Sequence, residues 1–96
     1  MNRQHAIDQL IRSKSELQRR FGVTRLSLFG STARDAATDD SDVDVLVAFD
    51  GPATSTRYFG VQFYLEDLLG CAVDLATERA LRPVLRPYIE RERVDV

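Results

Sequence analysis

The chain has 96 residues, of which 44% are hydrophobic and 29% charged, and its formal net charge at pH 7 is −2. This size and composition are typical of a globular protein with one modest core, so we expect a single domain over residues 1–96, and the single cysteine excludes an internal disulfide. The slightly acidic balance argues against direct binding of nucleic acid, and the lack of a signal peptide or a long apolar run predicts a cytoplasmic protein without membrane contact.

The first half of the chain is predicted to alternate helices and strands. A helix over Arg3–Phe21, which Gly22 ends, is indicated by apolar residues at helical spacing. Alternating apolar residues predict a strand over Val23–Phe29, the stretch Thr32–Ala37 is helix-prone, and Val43–Phe49 is typical of a strand that enters a core. The apolar face of the first helix is expected to carry Ile7, Leu10, Ile11, Leu17 and Phe21.

The second half repeats this alternation. A third helix, capped by Ser55 or Thr56, is predicted to run to Leu69, and a third strand is predicted over Cys71–Ala76. The region Glu78–Arg91 is predicted to be helical, with two prolines that interrupt it, the first of them in its opening turn.

The third helix contains more aromatic side chains than one helix face can pack. These side chains either pack against the sheet, form a surface for a partner, or line a wall for a nucleotide base. We therefore expect that the protein associates, either with itself or with a partner, through this helix and the C-terminal segment. The aromatic residues are Tyr58, Phe59, Phe63 and Tyr64.

Two carboxylates stand at the head of the second strand. Asp42 and Asp44 are two residues apart, so on a strand they point to the same face, with Cα atoms roughly 7 Å apart. Two carboxylates at such a short distance repel each other, and a divalent cation relieves that repulsion. Hard oxygen ligands favour Mg²⁺ or Mn²⁺.

A glycine and a serine precede this acidic pair. Gly30 permits a tight turn, and Ser31 is a good N-cap for the helix-prone segment, whose free N–H groups are suited to phosphate oxygens. A phosphate cradle that faces a carboxylate pair suits a metal-bound nucleoside triphosphate. In the alternative interpretation, residues 38–42 are a solvated turn and Ser31 is only a cap. That alternative does not explain an acid such as Asp44 inside an apolar strand.

A third acid lies in the third predicted strand. Asp74 stands between Val73 and Leu75, and an acid in a short apolar strand needs either a partner or an edge position that faces water.

The string Gly30-Ser31, ten residues, Asp42-x-Asp44 resembles the signature of the DNA polymerase beta-type nucleotidyltransferase superfamily. With Ala33-Arg34 and Ser41 it is similar to the minimal nucleotidyltransferase (MNT) proteins. The resemblance implies an α/β fold, in which helices pack mainly on one face of a small mixed sheet in the order α-β-α-β-α-β-α-β. It also implies a short last strand at Val94–Val96.

The resemblance further implies roles for the site residues. Asp42 and Asp44 are expected to hold the metals, and Asp74 to bind one metal and help deprotonate the attacking hydroxyl. The Gly30-Ser31 turn is expected to hold the β- and γ-phosphates of ATP. Arg34 either reaches a phosphate or forms a structural ion pair with a nearby aspartate.

The MNT proteins resemble antitoxins that are paired with HEPN-domain ribonuclease toxins. The resemblance therefore implies transfer of AMP from ATP to a tyrosine of such a toxin, with Mg²⁺ or Mn²⁺ as cofactor. Because the chain ends soon after the catalytic core, we expect a partner protein to bring the acceptor. Two alternatives remain open: a binding module that masks its partner without catalysis, and an adenylyltransferase that acts on a small molecule or an RNA end.

Overall fold

A computed structural model describes residues 1–38 and 40–96, so Asp39, which falls in the predicted acidic turn, lies outside the described residues. Helices and strands alternate along the chain in the predicted order. Their bounds are α1 Arg3–Phe21, β1 Val23–Phe29, α2 Gly30–Ala33, β2 Val43–Phe49, α3 Ser55–Leu69, β3 Val73–Thr77, α4 Arg86–Glu92 and β4 Val94–Asp95.

The four strands form one mixed sheet in the order β3-β2-β1-β4. Strand β1 is antiparallel to both β2 and β4, whereas β2 and β3 are parallel. A parallel pair needs a crossover connection, which α3 supplies between β2 and β3. The predicted mixed α/β fold is therefore confirmed, although β3 begins at Val73 and not at Cys71 as predicted.

Helices α1 and α3 pack on one face of the sheet and enclose the core. The core side chains are fully or nearly fully buried, so their apolar surface supplies most of the stabilisation of the fold. They include Leu10 and Leu17 of α1, Val61 and Leu65 of α3, Leu26 and Leu28 of β1, Val43, Val45 and Val47 of β2, and Val73 and Leu75 of β3.

The buried face of α1 differs from the prediction at one position. The buried face of α1 is centred on Leu10, and successive residues of a helix are about 100° apart. Ile11 therefore lies beside that face, and it is 55% exposed. Ser13 is buried instead, and its hydroxyl donates a hydrogen bond to the Leu10 carbonyl at 2.8 Å. The ring of Phe21 occupies the space beside Gly60 of α3 that a Cβ atom would fill, which explains a glycine inside that helix.

Helix α3 begins at Ser55, one residue earlier than a cap at Ser55 would allow and two residues earlier than a cap at Thr56 would allow. Thr54 is the N-cap, and its hydroxyl accepts a hydrogen bond from the Arg57 N–H at 3.3 Å. The backbone of Thr54 is extended, as an N-cap requires, whereas Ser55 and Thr56 are already helical. Thr54 is therefore the residue that caps the Arg57 N–H. Gly70 ends the helix in the left-handed conformation.

The region predicted as a helix over Glu78–Arg91 is helical only in its last part. Residues 78–85 form turns, and α4 starts at Arg86. The opening turn of the helix contains Pro87 and not Pro83. A proline is tolerated in this turn because the N–H that it lacks would have no partner within the helix.

Two of the four aromatic side chains of α3 contribute to the core, and two do not. Tyr58 and Tyr64 pack against the core, and the Tyr58 hydroxyl donates to the Leu75 carbonyl of β3. Phe59 and Phe63 are 48% and 61% exposed and stack with ring centroids 6.1 Å apart. The role of this exposed pair in association stays a prediction. None of the helices in the described part of the chain is both long and apolar enough to cross a membrane.

Candidate active site

Asp44 and Asp74 lie side by side on the face of the sheet opposite the core. In the parallel register of β2 and β3, Asp44 is the direct partner of Asp74. Both acids alternate with valines, Val43 and Val73, that are buried in the core, so both carboxyl groups project from the other face. This register makes β2 and β3 direct neighbours in the sheet.

The environment of Asp44 strongly disfavours its negative charge. Its pKa is raised from 3.8 to about 6, first by burial, then by the adjacent carboxyl group of Asp74, and then by the charge of Asp42. The guanidinium of Arg34 acts in the opposite direction but does not cancel these effects. Asp42 and Asp74 are themselves exposed to solvent, so Asp44 is the half-buried centre of the acidic group.

The donor chemistry of this acidic group fits a divalent cation. Carboxylate oxygens are the hard ligands that Mg²⁺ and Mn²⁺ prefer. The raised pKa of Asp44 means that its charged form is disfavoured in the folded protein, and a cation beside it stabilises that form. Among residues 1–38 and 40–96, no three His, Cys, Asp or Glu side chains converge closely enough to enclose a metal ion as they stand. The preformed part of the donor set is therefore the Asp44–Asp74 pair, with Asp42 in electrostatic range.

Gly30 allows the backbone to pass directly against Asp44. Its φ is 72°, in the left-handed region, and a Cβ atom added to it would lie 2.8 Å from the Asp44 Cγ and closer still to a carboxylate oxygen. Glycine alone meets both conditions without strain. The preceding residue, Phe29, is the register partner of Asp44, so the pairing of β1 with β2 places this turn against the acids.

The helix that follows the turn is shorter than predicted and begins earlier. It covers Gly30–Ala33 instead of Thr32–Ala37, and its N-cap position is Phe29, so the prediction that Ser31 caps it is wrong. The left-handed Gly30 turns the chain into the helix immediately after β1, which places Ser31 inside the first turn. N–H groups in a first turn have no acceptor within the helix, so that of Ser31 can bind an anion, whereas that of Gly30 already donates to a carboxylate.

Thr32 is a second polar feature of α2. It is 1% exposed, and within the part of the chain that the structure describes its Oγ1 has no hydrogen-bond partner. A buried hydroxyl without a partner carries a cost in free energy.

Arg34 forms an ion pair, but not with an aspartate. Its guanidinium donates to Oε2 of Glu92 on α4 at 2.7 Å, while Oε1 of the same carboxylate accepts the Gly30 N–H at 3.1 Å. Of the two roles predicted for Arg34, the structure therefore shows the structural ion pair, but with a glutamate in place of the expected aspartate. Glu92 was not among the predicted site residues, because no motif marks it and its contact with Arg34 spans 58 residues of sequence.

Arg3 is another residue near the site that the sequence interpretation missed. Its backbone N–H and its Nε donate to Asp35 and to the Ala33 carbonyl, at 3.4 and 3.0 Å. The N-terminal end of α1 thereby anchors the end of α2.

Comparison with known proteins gives three results that agree with this geometry. The family model described as nucleotidyltransferase domain matches residues 10–96. A protein adenylyltransferase MntA from Thermococcus cleftensis is 41% identical over 83 residues, which cover 86% of this chain and 84% of that protein. A solved structure described as a minimal nucleotidyltransferase has a TM-score of 0.85 at 38% identity, and the match covers 100% of this chain and 97% of that one.

A more distant structure has the same fold. It is a complex of a tri-AMPylated Shewanella oneidensis HEPN toxin with an MNT antitoxin, matched with a TM-score of 0.69 at 18% identity over 97% of this chain and 70% of that one. At this identity the match speaks for the fold alone.

Proposed function

The chain belongs to the nucleotidyltransferase domain family, and from this premise we propose that it transfers AMP from ATP to a hydroxyl of a partner protein. The acceptor we propose is a tyrosine of a HEPN ribonuclease toxin, so that the protein acts as the antitoxin of that toxin. The observation that carries the proposal is the direct pairing of Asp44 with Asp74 beside the Gly30 turn.

In this proposal the three acids hold divalent metal, either Mg²⁺ or Mn²⁺. Asp42, Asp44 and Asp74 supply the carboxylate oxygens, and the raised pKa of Asp44 supports the need for a cation there. When bound, such a metal neutralises the phosphate charge that grows as pyrophosphate leaves.

The remaining steps are assigned to residues of the chain. The Gly30 turn and the first-turn N–H of Ser31 bind and orient the β- and γ-phosphates, and Arg34 adds a positive charge beside them. Asp74, the more exposed acid of the pair, takes the proton of the attacking hydroxyl. The hydroxyl oxygen forms a bond to the α-phosphorus, and the bond from that phosphorus to pyrophosphate breaks.

The partner and the acceptor are proposed from the relatives. The Thermococcus relative is named a protein adenylyltransferase, and the more distant complex pairs an MNT antitoxin with an AMPylated HEPN toxin. The competing proposal is that the protein neutralises its partner only by covering it, and the exposed Phe59–Phe63 pair is the observation that favours it.

The experiment that separates these two functions is a mass measurement on the partner. The purified protein is incubated with Mg²⁺, ATP and the protein encoded by the neighbouring gene, the proposed toxin, and intact masses are recorded. We expect mass increases in units of AMP on the toxin, which are lost with Asp44→Asn and retained with Asp67→Asn, an exposed acid of α3. A stable complex without any mass increase would contradict AMP transfer and favour the masking function.

A further inference from the structure

The carboxylate of Glu92 occupies two of the groups that the proposed function assigns to phosphate. One of its oxygens accepts the Gly30 N–H at 3.1 Å and the other accepts the Arg34 guanidinium at 2.7 Å. A carboxylate held by a backbone N–H and a guanidinium resembles a bound phosphate in charge and in geometry. The Gly30 N–H has one hydrogen and cannot serve Glu92 and a phosphate oxygen together, and the Arg34 guanidinium, although it has further N–H groups, is partly neutralised while Glu92 is bound.

We propose that Glu92 is a specificity-determining residue that competes with the terminal phosphates of the nucleotide for Gly30 and Arg34. This inference rests on the proposed nucleotide site and extends it. A ligand binds at the cradle, meaning the Gly30 N–H and the Arg34 guanidinium, only if its anionic groups displace the carboxylate. The β- and γ-phosphates of a triphosphate do so, whereas AMP has only the α-phosphate and makes no use of these donors.

The displacement concerns the side chain of Glu92 and not the whole helix. The next residue, Arg93, has a side chain that is only 4% exposed and is anchored to Ser27 at 2.7 Å and to Glu78 at 2.6 Å. The Glu92 side chain is 25% exposed and has no such anchor beyond the two cradle donors, Gly30 and Arg34, among the contacts of the described residues. Rotation of its side-chain torsions therefore frees the cradle while α4 and β4 remain on the sheet.

The test compares Glu92→Gln with a matched control on the same helix, Glu90→Gln. Gln keeps the size of Glu92 but removes the charge that competes with phosphate. Glu90 contacts Arg93 at 2.9 Å and not the cradle, and Arg93 retains its other partners in that control. Binding is measured by calorimetry on the full chain, without any partner protein, with two probes: a non-hydrolysable ATP analogue with Mg²⁺, and AMP with Mg²⁺.

We expect Glu92→Gln to bind the triphosphate analogue roughly two- to fivefold more tightly than the parent, which is the scale of one solvent-exposed ion pair that is no longer in competition. Affinity for AMP should be unchanged, and Glu90→Gln should match the parent with both probes. In an Arg34→Ala background the effect of Glu92→Gln should shrink, because the competition acts through that guanidinium.

Unchanged or weaker binding of the triphosphate analogue by a folded Glu92→Gln protein would overturn the proposal, because Glu92 would then order the cradle instead of competing for it. Failure of both proteins to bind the analogue would overturn it as well. Since the assay measures binding and not transfer, the absence of AMP transfer to a toxin would leave a positive result intact and would contradict only the proposed function.

Discussion

Asp44 and Asp74 face each other across the parallel strands β2 and β3, and Asp44 carries a pKa of about 6 because it is half-buried beside other carboxyl groups. This arrangement stores electrostatic repulsion in the folded protein, and a cation relieves it.

Asp74→Asn should affect chemistry more than folding. The change removes one of the facing charges and keeps the shape, so the protein without metal should melt at the same temperature as the parent or slightly higher. Mg²⁺ should raise the melting temperature less than in the parent, because ligand binding to the native state is what stabilises it. AMP transfer should fall at least about 100-fold with the loss of the proposed base. Transfer at the parent rate would mean that Asp74 is only a surface residue.

The stability of the metal-free protein should depend on pH between about 4 and about 6. The pKa of Asp44 is raised from 3.8 to about 6 in the folded state, so its contribution to stability is fully present below 3.8 and is lost as the pH rises through about 6. The loss should be about 2 kcal/mol after screening by solvent at this half-buried position. Urea unfolding at a series of pH values measures it, and Asp44→Asn should flatten the profile. A parent profile that is flat across this range would show that the repulsion is absent.

Gly30→Ala should be costly, and Gly70→Ala is its matched control. Both glycines have a φ of 72°, so both variants carry the same left-handed strain of about 1 kcal/mol. A Cβ at Gly70 meets nothing within 4 Å, whereas a Cβ at Gly30 runs into the Asp44 carboxylate. We expect thermal melts to show a clearly larger loss for Gly30→Ala, with nucleotide binding abolished. Equal losses for the two variants would contradict the close approach of Gly30 to Asp44.

Arg93→Met should destabilise the protein by about 1–3 kcal/mol, because it removes a guanidinium that is only 4% exposed and bonds both Ser27 and the half-buried Glu78. Arg93 bonds Glu78 and Asp95, and the pKa of Asp95 is lowered to about 2, first by its hydrogen bond from Ser27 and also by Arg93. The exposed Arg91→Met is the control and should change stability by less than about 1 kcal/mol. Denaturant unfolding of both variants makes the comparison, and similar values for the two would show that the network adds little.

Local signals were sufficient to predict the alternation of helices and strands, whereas the mixed sheet was expected only from the family resemblance. The helix Arg3–Phe21 and the strands Val23–Phe29 and Val43–Phe49 have the predicted bounds, because regular apolar spacing and a terminal glycine are properties of the sequence itself. The late start of α4 was missed because the choice between Pro83 and Pro87 depends on where the turns after β3 pack.

The candidate site was predictable only in part. Spacing along a strand predicts that Asp42 and Asp44 face the same side, but Asp42 lies just before β2, and the direct neighbour of Asp44 in the sheet is Asp74. The cap at Ser31 was wrong because the helix start depends on the left-handed turn at Gly30. Glu92 could not be found, since its position against the cradle follows from tertiary packing at a separation of 62 residues from Gly30.

The most direct test of the central claim is a transfer assay with ATP labelled at one phosphate at a time. The protein, Mg²⁺ and the partner toxin are incubated with ATP labelled at the α-phosphorus or at the γ-phosphorus, with Asp44→Asn as the inactive control. The account predicts that the toxin acquires the α-label and none of the γ-label, and that Asp44→Asn transfers neither. A toxin that acquires the γ-label, or that acquires no label from the parent protein, would contradict it.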